Sequence, residues 1–276
     1  MSLSEQRSQA DIEIHRDELR AHAMKVCRNL SETLLLGSVT PSKEAVSTAL
    51  EEFAKANLNT FSFFNSSSRL MSASDMRRAA CVIEALASES GTLASIYLVN
   101  AIMAGSCIAA AGTESQRSEL LPQLGAGTIQ VAFAMTEPEA GSDAASMTTS
   151  AVSNAAGGFQ INGEKLFATG AATADRIIVV ARTIDDPKRR SFGLFNLASD
   201  APALEIEPLE HKLAAGLHAT CRVRLKNVTV TSDDVLGGPA EVGNAWASFT
   251  IYGHAGKIVG GCTVTGSCVS NRRTRG

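Results

Sequence analysis

Most signatures that would tie a chain to a particular chemistry are missing from this 276-residue sequence. Its six cysteines, at positions 27, 81, 107, 221, 262 and 268, form no CxxC pair and show no His/Cys spacing suited to zinc. They read as reduced thiols, as expected in a cytoplasm. No GxSxG, no Walker loop and no GxGxxG in a strand-to-helix setting occurs, which argues against an α/β-hydrolase, a P-loop NTPase and a Rossmann dehydrogenase. With 25 Lys and Arg against 28 Asp and Glu, the net charge is -3, so there is no broad basic surface for nucleic acid or an anionic membrane. Residues 1–20 are polar and charged without an apolar core, so no signal peptide is expected. His15, His22, His211 and His218 fall on a polar helix or in a loop-like stretch and read as surface residues.

What is present is a composition of 45% hydrophobic and 19% charged residues, which fits a soluble globular chain of about two domains. Leu93 to Ala111 runs 19 residues without a charge, near membrane-spanning length. Asn100, Ser95, Ser106 and many alanines lower its hydrophobicity, and no basic or aromatic belt flanks it, so it reads as a buried core helix. Helix signals fill the first half. Residues 4–30 are charged and helical, Thr40-Pro41 reads as an N-cap with Pro at the first helical position, Ser74 as a cap of the next helix, and Thr113 to Gln116 as a capping box.

Strand signals begin past Gly125: 128–135, 147–153, 158–161, 164–169, 176–182, 192–197, 204–209 and 220–230. Asn162-Gly163 reads as a two-residue hairpin turn between two of them. The order of elements is α+β: a helical domain over 1–125, an antiparallel, barrel-like β domain over 126–237, and the start of a further helical domain over 238–276.

The most informative stretch is Val131 to Ser146, where a strand-like apolar run breaks at Pro138 and Gly141 into a turn rich in hydroxyls, carboxylates and free backbone donors. A planar heterocycle needs a flat apolar wall and a few aimed donors, and this turn can supply the donors. Taken alone, Thr136 reads as a strand-end hydroxyl capping its own turn, and Phe167 is open to the reading of an ordinary core aromatic. Glu137, Glu139 and Asp143 read as carboxylates that support the turn, not as catalysts.

Ala134 through Asp143, reading AMTEPEAGSD, resembles the signature of the acyl-CoA dehydrogenase family of flavoproteins without a gap. Ile161 to Gly170 and Lys212 to Gly237 resemble later segments of the same family, so the likeness is close over about 91–243 and looser before it. The resemblance implies FAD as cofactor, with Met135, Thr136, Gly141, Ser142, Phe167 and Thr169 at the flavin and Ser142 also at the acyl-CoA thioester. Phe167 stands where many relatives have tryptophan, which keeps an apolar wall and removes an indole donor.

The reaction it implies is α,β-dehydrogenation of an acyl-CoA to an enoyl-CoA, with an electron-transfer flavoprotein as acceptor and homo-oligomeric assembly. The family's base lies in a C-terminal helical domain that this sequence barely begins, so the chain reads as truncated there, and His254 falls where some relatives place that base. A flavin monooxygenase or oxidase of the same fold, and a non-catalytic module that binds no flavin, are the alternatives.

Overall fold

The computed structural model describes residues 3–33, 40–61, 64, 70–183, 191–210 and 218–242. Among the described residues, six α-helices precede seven strands: α1 Leu3–Thr33, α2 Lys43–Lys55, α3 Ala73–Glu89, α4 Gly91–Tyr97, α5 Gly105–Ala111 and α6 Glu114–Ala126, with a π-helical stretch Leu98–Ala104 joining α4 to α5. Each of the first three helices buries a stripe at helical spacing: Ala23, Cys27 and Leu30; Val46, Ala49, Leu50 and Phe53; Ala79, Val82, Ile83 and Leu86. Arg20 and Arg28 of α1 reach Glu84 and Glu89 of α3 at 3.2 and 2.9 Å, outside that packing.

Helix boundaries follow capping chemistry. The capping box at Thr113 and Gln116 forms as the sequence indicates, and α6 ends at Gly127, whose φ of 73° is left-handed. A side chain there would also strike the backbone of Leu50. Two caps differ from expectation. Ser42, not Thr40, caps α2, accepting from the Ala45 N–H, so Pro41 lies outside the helix. Ser72, not Ser74, caps α3, because Asp75 closes a reciprocal pair with it that Ser74 lacks.

The continuous helical stretch Gly91–Ala111 is, among the described residues, long and apolar enough to cross a membrane, and most of it is buried inside the protein. Its π-helical turns carry Asn100, which is buried and faces the sheet. Asn100 Oδ1 accepts from the Val131 N–H at 2.7 Å and its Nδ2 donates to the Ile129 carbonyl at 3.3 Å. The side chain thereby imitates a neighbouring strand and anchors the first strand to the core helix.

The strands are β1 Val131–Ala134, β2 Ser150–Ser153, β3 Phe159–Thr169, β4 Arg176–Thr183, β5 Phe192–Ala198, β6 Leu204–Pro208 and β7 Thr220–Val230. They make one sheet in the order β1-β4-β2-β3-β7-β6, with β5 on the other edge of β4. The sheet is mixed and not purely antiparallel: β1 and β2 both run parallel to β4, at successive positions along it. β1 and β4 are buried on both faces. Val131, Phe133, Ile178 and Val180 join the helical core, while the alternate residues Ala132, Ala134, Ile177 and Val179 join a second core within the sheet's curl.

The expected hairpin at Asn162-Gly163 is absent, because β3 continues through it. Gly163 lies against Thr149 so closely that a Cβ would fall 2.7 Å from the Thr149 Cα, so glycine serves a close approach here and not a turn. The register of β3 on β7 slips twice, first between Ile161 and Gly163 and again between Lys165 and Ala168. The first slip places an extra residue on β7 at Asn227, the second an extra residue on β3 at Phe167, and both residues have a φ of 60°. The two bulges cancel.

Replacing Asn100 by leucine strands one buried N–H and one buried carbonyl, so a loss of about 2–4 kcal/mol is expected. Urea unfolding followed by far-UV circular dichroism measures it; a loss below about 0.5 kcal/mol would show that Asn100 does not anchor β1.

Candidate functional site at the β1 and β3 strand ends

The site is organised by a charge that alternation places indoors. Ile161 and Lys165 share the inner face of β3, and Lys165 is 0% exposed. Its Nζ donates to Glu137 Oε1 at 2.7 Å and to the Met135 carbonyl at 3.0 Å. Glu137, also buried, accepts in addition from the Thr148 N–H at 2.6 Å, the Thr148 hydroxyl at 2.9 Å and the Thr149 N–H at 2.9 Å. Burial by itself would raise the Glu137 carboxyl, but Lys165, Thr148 and Thr149 outweigh it and hold it down to about 2. Burial draws the Lys165 ammonium down to about 8 against the pull of Glu137. Glu137 is thus a structural carboxylate with its lone pairs engaged, and it has no capacity left to take a proton at neutral pH.

One residue further, the Leu166 N–H donates to the Thr136 carbonyl at 2.7 Å. Lys165 and Leu166 therefore hold the end of β1 against β3 just before the bulge. Straight alternation would turn Phe167 inward with Lys165. The bulge reverses this: Ala168 goes in, and Phe167 stands 61% exposed on a left-handed backbone. Such a backbone is uncommon for a bulky residue and goes with the bulge, as it does at Asn227 in the matching slip on β7. The Thr136 N–H and hydroxyl bond to no other group among the described residues. Thr169 faces its neighbour across the sheet, its Oγ1 3.5 Å from that of Thr220.

Of the residues singled out in the sequence, the structure brings Met135 and Thr136 against Lys165 and Leu166 of β3, with Phe167 next along that strand and Thr169 two residues beyond it. Gly141 and Ser142 lie on the exposed turn beyond the buried Ala140, and no hydrogen bond ties them to these residues. His254, His211 and the stretch 243–276 lie outside the described residues. The four described cysteines are free thiols.

His218 differs from its surface reading. It is 4% exposed, with Nδ1 2.9 Å from the hydroxyl of Ser95 on α4. Its ring fits because Gly170 has no side chain: a Cβ there would approach Nε2 to 3.0 Å. No local pattern reveals this, since the contact joins residues 123 apart. Lys165 and Asn100 do leave a local signal, a lysine on the apolar side of an alternating strand and an asparagine inside an uncharged helix.

A helical layer feeding a mixed sheet that is covered on both faces at β1 and β4 defines an α+β protein. Residues 71–128 match the acyl-CoA dehydrogenase N-terminal domain and residues 132–228 the acyl-CoA dehydrogenase middle domain, together more than half of the chain. The chain belongs to the acyl-CoA dehydrogenase family. The match starts at residue 71, some twenty residues earlier than the sequence likeness indicated.

Among curated relatives, an acyl-CoA dehydrogenase of Bacillus subtilis is 33% identical over 126 residues, 46% of this chain and 33% of that one. Acyl-CoA dehydrogenase FadE12 of Mycobacterium tuberculosis is 30% identical over 200 residues, 70% of this chain and 50% of that one. The chain thus spans one third to one half of these relatives. Butyryl-CoA dehydrogenase from Megasphaera elsdenii has the same fold, with a TM-score of 0.78 at 24% identity, covering 91% of this chain and 66% of that structure.

Glu137→Gln removes the counter-charge of a buried ammonium and should cost about 3–5 kcal/mol at pH 7, whereas replacing both partners, by Glu137→Leu with Lys165→Met, should cost far less. Because folding depresses the Glu137 pKa, its contribution is complete above the ordinary 4.5 and is lost as pH falls towards about 2. Urea unfolding of parent and Glu137→Gln across pH 2–7 should show their difference closing through that window; a difference independent of pH would refute the pair's role.

Proposed function

We infer that this chain holds FAD at the β1 and β3 strand ends and takes part in α,β-dehydrogenation of an acyl-CoA thioester. The observation that carries this reading is the bond that holds Thr136 to Leu166, one residue before Phe167, which is turned outward on a left-handed backbone, while the Thr136 N–H and hydroxyl bond to no other group among the described residues. A ring with an apolar face and an acceptor-rich edge fits this set. When bound, FAD supplies acceptance of a hydride from the substrate β-carbon.

The chain's own residues would do the rest. Thr136 donates to the ring edge, Phe167 covers a ring face and excludes water, and Thr169 adds a hydroxyl beside it. The exposed hydroxyl of Ser142, with the neighbouring backbone of Gly141, would meet the thioester end of the substrate. Loss of the α-proton needs a polarised thioester carbonyl and a separate acceptor, since Glu137 is committed to Lys165. His254 is the proposed acceptor.

An electron-transfer flavoprotein as oxidant, further copies of the chain as partners and a cytoplasmic location belong to the same proposal. Support for acyl-CoA as substrate comes from the names of the relatives: the Bacillus subtilis protein is an acyl-CoA dehydrogenase and the Megasphaera elsdenii structure a butyryl-CoA dehydrogenase.

Visible absorbance of the protein mixed with FAD and then given butyryl-CoA or palmitoyl-CoA without oxygen tests this. Bleaching of the bound flavin is expected. Absence of bound flavin would favour the non-catalytic alternative, and oxygen consumption without an added acceptor the oxidase.

Phe167→Asn keeps a residue that accepts the left-handed backbone, so it should unfold at the same or a higher urea concentration than the parent. Its FAD dissociation constant should rise about tenfold, or about 1.4 kcal/mol. Unchanged FAD affinity together with lost stability would make Phe167 a packing residue.

A further inference from the structure

Besides its pair with Glu137 at 2.7 Å, the Lys165 ammonium donates to the Met135 carbonyl at 3.0 Å, and towards its remaining neighbour it has only the weak acceptor Sδ of Met147 at 3.8 Å. The Met135 carbonyl and the Thr136 N–H belong to one peptide group. No peptide bond among the described residues is cis, and in a trans peptide the carbonyl and the N–H point in opposite directions. A carbonyl aimed inward at a buried ammonium therefore aims the Thr136 N–H away from it, towards the outside. The Leu166 N–H, held on the Thr136 carbonyl at 2.7 Å, fixes the following peptide in turn.

A positive charge on a peptide carbonyl draws the nitrogen lone pair towards the oxygen, so that the N–H of the same group becomes a stronger donor. Lys165 is 0% exposed, and little water screens its charge from that carbonyl. Glu137, the charged group paired with Lys165, cannot bond to the Met135 carbonyl because both are acceptors, so the charge in contact with the peptide is the ammonium. A donor strengthened in this way gains more from an anionic acceptor than from a neutral one. We propose that Lys165 is a positioning residue that acts through the Met135–Thr136 peptide, aiming and strengthening the Thr136 N–H for a ligand edge that takes on negative charge. The proposal rests on the reading of the strand ends as an FAD site: the oxidised ring is neutral, and after accepting two electrons and one proton it carries one negative charge, so the polarised N–H favours the reduced form.

Labelling the full chain with carbon-13 at methionine carbonyls and nitrogen-15 at threonine isolates two peptide groups, Met135–Thr136 and Met147–Thr148, and Met135→Leu identifies the first. Burial draws the Lys165 ammonium down to about 8, so in flavin-free protein the Met135–Thr136 resonance should move on both axes as pH rises through that value. In the protein carrying both Glu137→Leu and Lys165→Met it should not titrate. Equilibration with a reference dye reads the potential of bound FAD: the preference for the reduced ring should fall about tenfold in the doubly substituted protein, lowering the potential by about 30 mV, whereas loss of a merely structural residue weakens both forms alike. The parent resonance reads the same contact if the doubly substituted protein does not fold. A parent that binds FAD but whose resonance is indifferent to pH between about 6 and 10, or an unchanged potential after both substitutions, would overturn this inference alone. A parent that binds no FAD would overturn the underlying reading and this inference with it.

Discussion

Everything at the strand-end site depends on one buried ion pair. Lys165 and Glu137 come from elements 28 residues apart, and neither could be desolvated alone. Together they draw in the Met135 carbonyl, Thr148 and Thr149, so that the end of β1, the turn after it and the start of β2 converge on one ammonium and one carboxylate. The AMTEPE segment is thus a folding junction before it is a binding surface. The inward residues carry the structural duty, and the outward ones take no part in this network.

The second constraint is that β1 and β4 are covered on both faces. The helices press on one side and the sheet's curl closes on the other, leaving the strand ends as the exit for polar groups. Asn100 extends this arrangement into the helical layer. It substitutes for strand neighbours at Ile129 and Val131, where the chain passes from α6 into β1. His218 makes a similar seam between α4 and the start of β7 through Ser95. The two layers are therefore joined by buried polar contacts as well as by apolar packing, which fixes their relative position more narrowly than grease alone would.

The outline of the fold was readable because its signals are local. Helical stripes, the capping box at Thr113, the limits of β7 and the apolar run of β1 each lie within a few residues of their cause. Asn162-Gly163 misled because the dipeptide satisfies two different demands, a tight turn and a close backbone approach, and only the distant Thr149 decides between them. The outward turn of Phe167 was hidden for a related reason. Alternation assigns it to the core, and the slip that frees it is set by pairing with β7, more than fifty residues away. The Glu137 and Lys165 partnership was likewise invisible, since no spacing rule links a turn carboxylate to a lysine in a later strand.

The paired bulges have a consequence for how this region can change over time. One extra residue at Asn227 is offset by one extra residue at Phe167, so the strands leave the second slip in the same pairing with which they entered the first. A single-residue deletion in either segment would leave one slip without its counterpart and reverse inside and outside for every position beyond it. Length variation among descendants of this gene should therefore avoid residues 162–167 and 222–227 or alter both together, and the strand-end edge is inherited as a matched pair of segments.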